Sequence, residues 1–252
     1  YFGAEVIKIE DPSGGDISRR MGPFLEHVPN HETSATYLYL NTNKKSITLN
    51  LDTISGVETL KTLLPKCDIL VENYQPGVML EKGLSYKNIE SINPHLVMAS
   101  ITYFGQTGPY KNYKGNSMVG FALTGLMHMT GEPDREPLVG AGYHPEYAAG
   151  IHAYDAILAA LYWRYSSNKG QHIDVSVIES MAYYHEFAIP PWTHVNAKNL
   201  RNGNSLAVGN YPINLYPCKD GYISVTNVMP HHNESLFILM ERPDLLDDPK
   251  FA

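Results

Sequence analysis

Apolar and polar positions along the chain follow two periods. Ser46-Ile-Thr-Leu-Asn-Leu51 alternates with period two, the pattern of a half-buried strand. Val6-Ile-Lys-Ile9 and His172-Ile-Asp-Val-Ser-Val177 also read as strands. Asp68-Ile-Leu-Val71 and Leu96-Val-Met-Ala-Ser-Ile101 are nearly continuous apolar runs, which suit strands buried on both faces of a parallel sheet. Between the strands the period lengthens. Ser55-Gly-Val-Glu58 reads as a Ser-x-x-Glu capping box, and Val57, Leu60 and Leu64 share one helical face. The segment Met79 to Ile92 is long enough for a right-handed helical crossover. Further helices are predicted over 117–129 and 146–166. Strand and helix in alternation predict an α/β fold with a mostly parallel sheet.

After about Ala188 the pattern changes. Ile189-Pro-Pro-Trp192 is expected to break any helix, the stretch up to Asn210 is polar, and Tyr222-Ile-Ser-Val-Thr226 starts a new strand behind the turn Lys219-Asp-Gly221. The expected organisation is a large domain over 1–187, a linker over 188–212 and the start of a smaller α/β domain over 213–252. Position 1 is Tyr, a strand opens almost at once, and Asp247-Asp-Pro-Lys-Phe-Ala252 stops where another element should begin. The expectation is therefore a fragment of a longer chain.

Composition narrows the function classes. The 252 residues are 43% hydrophobic and 18% charged, with 19 Lys+Arg against 26 Asp+Glu, a formal net charge of −7. That balance predicts a globular chain and a poor general binder of nucleic acid, while leaving room for one anionic ligand in a local basic pocket. No apolar run approaches the roughly 18 residues of a membrane span. Two cysteines, Cys67 and Cys218, form no disulfide framework or zinc pattern and suggest a reducing cytoplasm. The eleven histidines include no His-Glu-x-x-His, and His231-His232 is expected in a loop beside Pro230. No metal site is predicted. A glycine-rich dinucleotide fingerprint is absent as well, so residue arithmetic names no cofactor.

Two loops stand where open α/β sheets bind ligands, beyond the carboxyl ends of strands. They are Val71-Glu-Asn-Tyr-Gln-Pro-Gly77 and Phe104-Gly-Gln-Thr-Gly-Pro109, expected to converge on one edge. Asn73 offers an amide donor and acceptor, and Tyr74 a flat face. Glu146 opens the strongest predicted helix, behind Pro145 and before Ala148, Ala149 and Gly150. A carboxylate there suits the positive end of the helix dipole. The small residues leave room for a bulky group to approach it, or serve helix packing instead.

In order and spacing these segments resemble the family III CoA-transferases, the group with formyl-CoA:oxalate and carnitine CoA-transferases and the α-methylacyl-CoA racemases. The matching pieces are Gly3-Ala-Glu-Val-Ile-Lys-Ile-Glu10, Pro12-Ser-Gly-Gly-Asp16, Asn41-x-Asn43-Lys-Lys-Ser46, Val71 to Gly77, Asn93-Pro94, Phe104 to Pro109 and Lys169-Gly-Gln-His-Ile-Asp174. The resemblance implies a large Rossmann-like domain, a smaller α/β domain and two interlocked subunits, a homodimer when the chain is full length. It implies coenzyme A and acyl-CoA as substrates with no tightly bound cofactor, and a carboxylic acid as the second partner. The family's catalytic carboxylate, usually Asp, aligns with Glu146, counting back from Ala159-Ala160-Leu161. Asn73, Tyr74, Lys114, Lys82 and Leu49 match positions implied to contact coenzyme A. Asp11, Asp52 and Glu81 stand where some members carry basic residues, so Lys82, Lys114, Lys44 or Arg19 would carry the phosphate affinity. The family's multi-glycine loop falls near Arg201-Asn-Gly-Asn-Ser205, represented here by Gly203 and Gly209. Racemases of the family use a histidine where this chain has Asn116, which cannot serve as a general base. A transferase is favoured, with a racemase or epimerase and a non-catalytic CoA-binding homologue as the alternatives.

Overall fold

The structure, a computed structural model, describes residues 3–205 and 212–248. It is mixed α/β, and its sheets are mostly parallel. In chain order the strands are β1 (Ile7–Glu10), β2 (Lys45–Thr48), β3 (Ile69–Glu72), β4 (Val97–Thr102), β5 (His172–Ser176), β6 (Ile213–Cys218) and β7 (Gly221–Thr226). The chain divides into two compact units, Tyr1–Ser100 with Ala156–Ile173, and Ile101–Asp155 with Asp174–Ala252.

In the first unit β1 and β2 pair in parallel from Ile7↔Lys45 to Glu10↔Thr48. β3 and β4 pair in parallel from Ile69↔Val97 to Glu72↔Ser100, within a sheet of order β3-β4-β5. Successive side chains of a strand point to opposite faces, and the run 96–99 shows the consequence. Leu96 and Met98 pack into one cluster with Val57, Leu60, Leu64, Met79, Leu84 and Ile89. Val97 and Ala99 pack into another with Ile157 and Ala160 of the helix His144–Ser167. The double-sided burial expected of this run is therefore observed. β3 is less covered than expected, with Val71 53% exposed, and β2 is exposed along its whole length.

Several local expectations are corrected. The helix predicted behind Ser55 runs Ile54–Leu63, and its cap is Thr53, whose hydroxyl accepts from the Gly56 backbone N–H at 3.1 Å. Ser55 stands inside the first turn. The crossover 79–92 is two helices, Val78–Glu81 and Tyr86–Ile92, because Gly83 at φ 68° turns the chain before Ser85 caps the second.

In the second unit the helix predicted over 117–129 breaks in the same way, into Ser117–Leu123 and Leu126–Met129. Phe121 and Met181 pack with Ala148 of the long helix. Ala148 and Ala149 are fully buried, so their small size serves helix packing rather than ligand access. Ile189-Pro-Pro-Trp192 opens a helix, Ile189–Val195, instead of breaking one. Prolines in a first turn lack only N–H groups that have no intrahelical partner there. His231 and His232 likewise lie in a helix, Pro230–Leu239, not in a loop. β6 and β7 form an antiparallel hairpin from Ile213↔Thr226 to Cys218↔Gly221.

Candidate active site

Glu146 lies in the first turn of the helix His144–Ser167, half-buried. Pro145 before it is buried against Gly120, where a β-carbon would stand 3.0 Å from the proline ring. Two hydroxyls of the same unit reach the carboxylate. The Ser117 hydroxyl is 2.8 Å from both Oε1 and Oε2, and the Tyr103 hydroxyl donates to Oε1. Ser117 is the first residue of the helix Ser117–Leu123, whose cap is Asn116, accepting from the Val119 N–H at 3.0 Å. The Asn116 amide is thus occupied structurally, at the position where a racemase would need its base.

Tyr103 leaves the carboxyl end of β4, and its backbone carbonyl accepts from Ile178 N–H (3.1 Å) and the Ser176 hydroxyl (3.2 Å). Its ring lies over Gly115, where a β-carbon would come within 2.2 Å of ring Cγ. Only glycine allows that approach. Burial, and then the bond to Glu146, push the phenol pKa well above its ordinary value, so the group is a protonated donor at neutral pH. Tyr143 and Tyr147, beside Glu146 in the chain, meet edge to face at 6.4 Å. Gly203, of the expected multi-glycine loop, spends its N–H on the Gly131 carbonyl at 3.0 Å. Gly209 lies outside the described residues.

The coenzyme-contact candidates fall in both units. Lys114 is exposed in the second, one residue before the glycine beneath Tyr103. Asn73, Tyr74, Lys82 and Leu49 are in the first. There Leu49, Tyr74 and Lys82 line one cleft of about 240 Å³ with Ile9, Asp11, Leu51, Asp52 and Val78. Asn73 is exposed and does not line it. The loop is held from below by Glu72, buried, whose Oε2 accepts from the Tyr74 N–H at 2.7 Å. Lys82 is paired with Asp52 and donates to the Leu51 carbonyl at 3.2 Å. Arg19 is not available to a phosphate. It is committed to Glu10, at 2.7 Å through Nε, and lies 3.8 Å from the Tyr37 ring centroid. Among the described residues no cluster of His, Cys, Asp and Glu is placed to hold a metal ion, and no helix is long and apolar enough to cross a membrane.

Tyr103 and Ser117 were not singled out by the sequence. They stand 43 and 29 positions from Glu146, and only the strand-end location of Tyr103 hinted at a ligand-side role.

Comparison with known proteins matches the chain to CoA-transferases. The description of CoA-transferase family III matches residues 1–252. A succinyl-CoA:glutarate CoA-transferase of Mus musculus is 36% identical over 251 residues, covering 99% of this chain and 56% of its own length. A succinyl-CoA–D-citramalate CoA-transferase of Chloroflexus aurantiacus is 36% identical over 259 residues, covering 100% of this chain and 61% of its own. A crystal structure of a CaiB/BaiF family protein from Brucella suis superimposes with a TM-score of 0.83 at 32% identity, over 99% of this chain and 66% of that one. The chain thus spans a little over half the length of these curated relatives.

Proposed function

The chain belongs to CoA-transferase family III, and from that premise we propose that the protein carrying it moves coenzyme A from an acyl-CoA to a carboxylic acid through a thioester on Glu146. The observation that carries this reading is a half-buried carboxylate at a helix start whose partners within its unit, among the described residues, are neutral hydroxyls. Such a carboxylate keeps lone pairs for attack. One oxygen of Glu146 adds to the donor thioester carbonyl, the C–S bond breaks, and coenzyme A leaves as thiolate from a mixed anhydride. The thiolate then attacks Cδ of Glu146, and the donor acid departs as carboxylate, leaving the glutamyl thioester. The acceptor acid reverses both steps. Negative charge passes from carboxylate to thiolate to carboxylate, with no net proton transfer. This is covalent catalysis that divides one exchange into easier displacements.

The cleft lined by Leu49, Tyr74 and Lys82 supports a coenzyme contact in the first unit, with Asn73 at its loop, and Lys114 is a separate candidate cation in the second. The relatives' names make succinyl-CoA the first donor to try and a dicarboxylic acid the first acceptor. The domain division at 188–212 remains part of the proposal. So does a homodimer, supported by the exposed apolar positions Tyr147, Ile151, Leu158, Tyr162 and Tyr165 on the long helix. Free thiols at Cys67 and Cys218 support a reducing cytoplasm as the setting.

Mass spectrometry of the protein incubated with succinyl-CoA and a panel of other acyl-CoAs tests the reading. A coenzyme adduct at Glu146, lost on hydroxylamine treatment and absent from Glu146→Gln, is expected. Undiminished transfer by Glu146→Ala overturns it.

A further inference from the structure

We propose that Tyr103 is a second catalytic residue, the donor that holds the oxyanion on Glu146, and that it divides the labour of the two carboxylate oxygens. The inference rests on the reading of Glu146 as the residue that carries coenzyme A. Oε1 accepts from Tyr103 and lies 2.8 Å from Ser117, while Oε2, among the described residues of its unit, has only Ser117, also at 2.8 Å. A serine hydroxyl has one proton and serves one oxygen at a time. When it turns to Oε1, Oε2 is left without a donor and is the better nucleophile. Oε2 therefore takes the acyl group, and Oε1 stays as the carbonyl oxygen of the anhydride.

The thiolate attack follows from this assignment. As the Cδ–S bond forms, the carbonyl π pair moves onto Oε1, where Tyr103 already donates. As the intermediate collapses, the pair returns, Cδ–Oε2 breaks, and Oε2 leaves within the donor carboxylate. The same donor serves both directions of the exchange.

Preorganisation is what makes such a donor effective, because no reorientation is needed when charge develops. Tyr103 meets that requirement at both ends. Its carbonyl is held by Ile178 and Ser176, and its ring lies on Gly115 with no space for a β-carbon between them.

Tyr103→Phe keeps the ring on Gly115 and removes only the hydroxyl. In the protein that carries this chain, kcat is expected to fall on the order of 10²-fold, as for loss of one oxyanion donor, with KM for acyl-CoA within about twofold. Formation of the trapped thioester in a single turnover should slow by the same factor. If Tyr103→Phe turns over like the wild type while Glu146→Gln is inactive, the assignment to Tyr103 is overturned and Glu146 stands. If Glu146→Gln is also active, the reading of Glu146 itself has failed. Should Tyr103→Phe not fold, fluorotyrosines of graded acidity at position 103 decide. A kcat that tracks phenol acidity supports the donor role, and a flat series overturns it.

Discussion

Two buried or half-buried glutamates, one in each unit, show what a carboxylate's partners do to its chemistry. Glu10 in the first unit accepts five hydrogen bonds, from Arg19 Nε (2.7 Å) and Nη2 (3.0 Å), Tyr37 (2.8 Å), Ser46 (2.6 Å) and the Asp16 N–H (2.9 Å). Its side chain is 3% exposed, and the Arg19 guanidinium, ahead of the other donors, holds its pKa far below the ordinary 4.5. Every lone-pair direction is occupied and the charge is neutralised. That group joins β1, the segment 16–20 and the helix Ala35–Asn41, and it has no capacity left for substrate. Among the described residues of its unit Glu146 has only hydroxyl partners, and one oxygen can be released by rotating a single serine. A guanidinium neutralises the first carboxylate, whereas the second faces neutral hydroxyls.

The largest effect that would sharpen this contrast is on turnover. Glu146→Gln should cost about 10⁴-fold or more in transfer with little change in melting temperature, whereas Glu10→Gln should lower stability and leave the turnover of folded enzyme intact. Equal losses of turnover in both would break the comparison. Next comes Arg19→Met, which strands the Glu10 carboxylate. Removing one partner of a buried pair costs about 3–5 kcal/mol, measurable by denaturant unfolding. Gly115→Ala attacks the other side of the contrast by pushing Tyr103 off its seat. A kcat loss on the order of 10²-fold is expected, with little further loss when combined with Tyr103→Phe, since both remove one donor.

The smallest effect is on acid stability. Because the folded pKa of Glu10 is depressed, its stabilisation is complete above the unfolded value of 4.5 and is lost as pH falls below it. By about pH 3 the loss reaches about 2 kcal/mol, and Glu10→Gln should show a correspondingly flatter acid limb in unfolding experiments. An unchanged limb would mean that other carboxylates dominate the titration.

Much of the framework was legible in the residues. The run Leu96–Ile101 predicted a strand covered on both faces, and the alternate packing of Leu96 and Met98 against Val97 and Ala99 is what such a run produces. The long helix was visible from its apolar content, with Glu146 at its head. Boundaries were less legible. A capping box at Ser55 and a real cap at Thr53 differ by two positions, and several hydroxyls compete to accept the same N–H groups. Pro190 and Pro191 read as a helix breaker because proline stops a helix it falls inside but starts one it precedes, and the sequence does not say which.

Hydrophobic periodicity by itself located five of the strands and the long helix and, for Leu96–Ile101, both buried faces, since burial there follows from side-chain spacing over a few residues. It also placed an acid at a helix start. The partners of that acid were decided only by tertiary structure, as were the pairing of Arg19 with Glu10 and of Lys82 with Asp52. Polar contacts depend on angles and distances of tenths of an ångström between groups far apart in the chain. The apolar pattern carries no record of them.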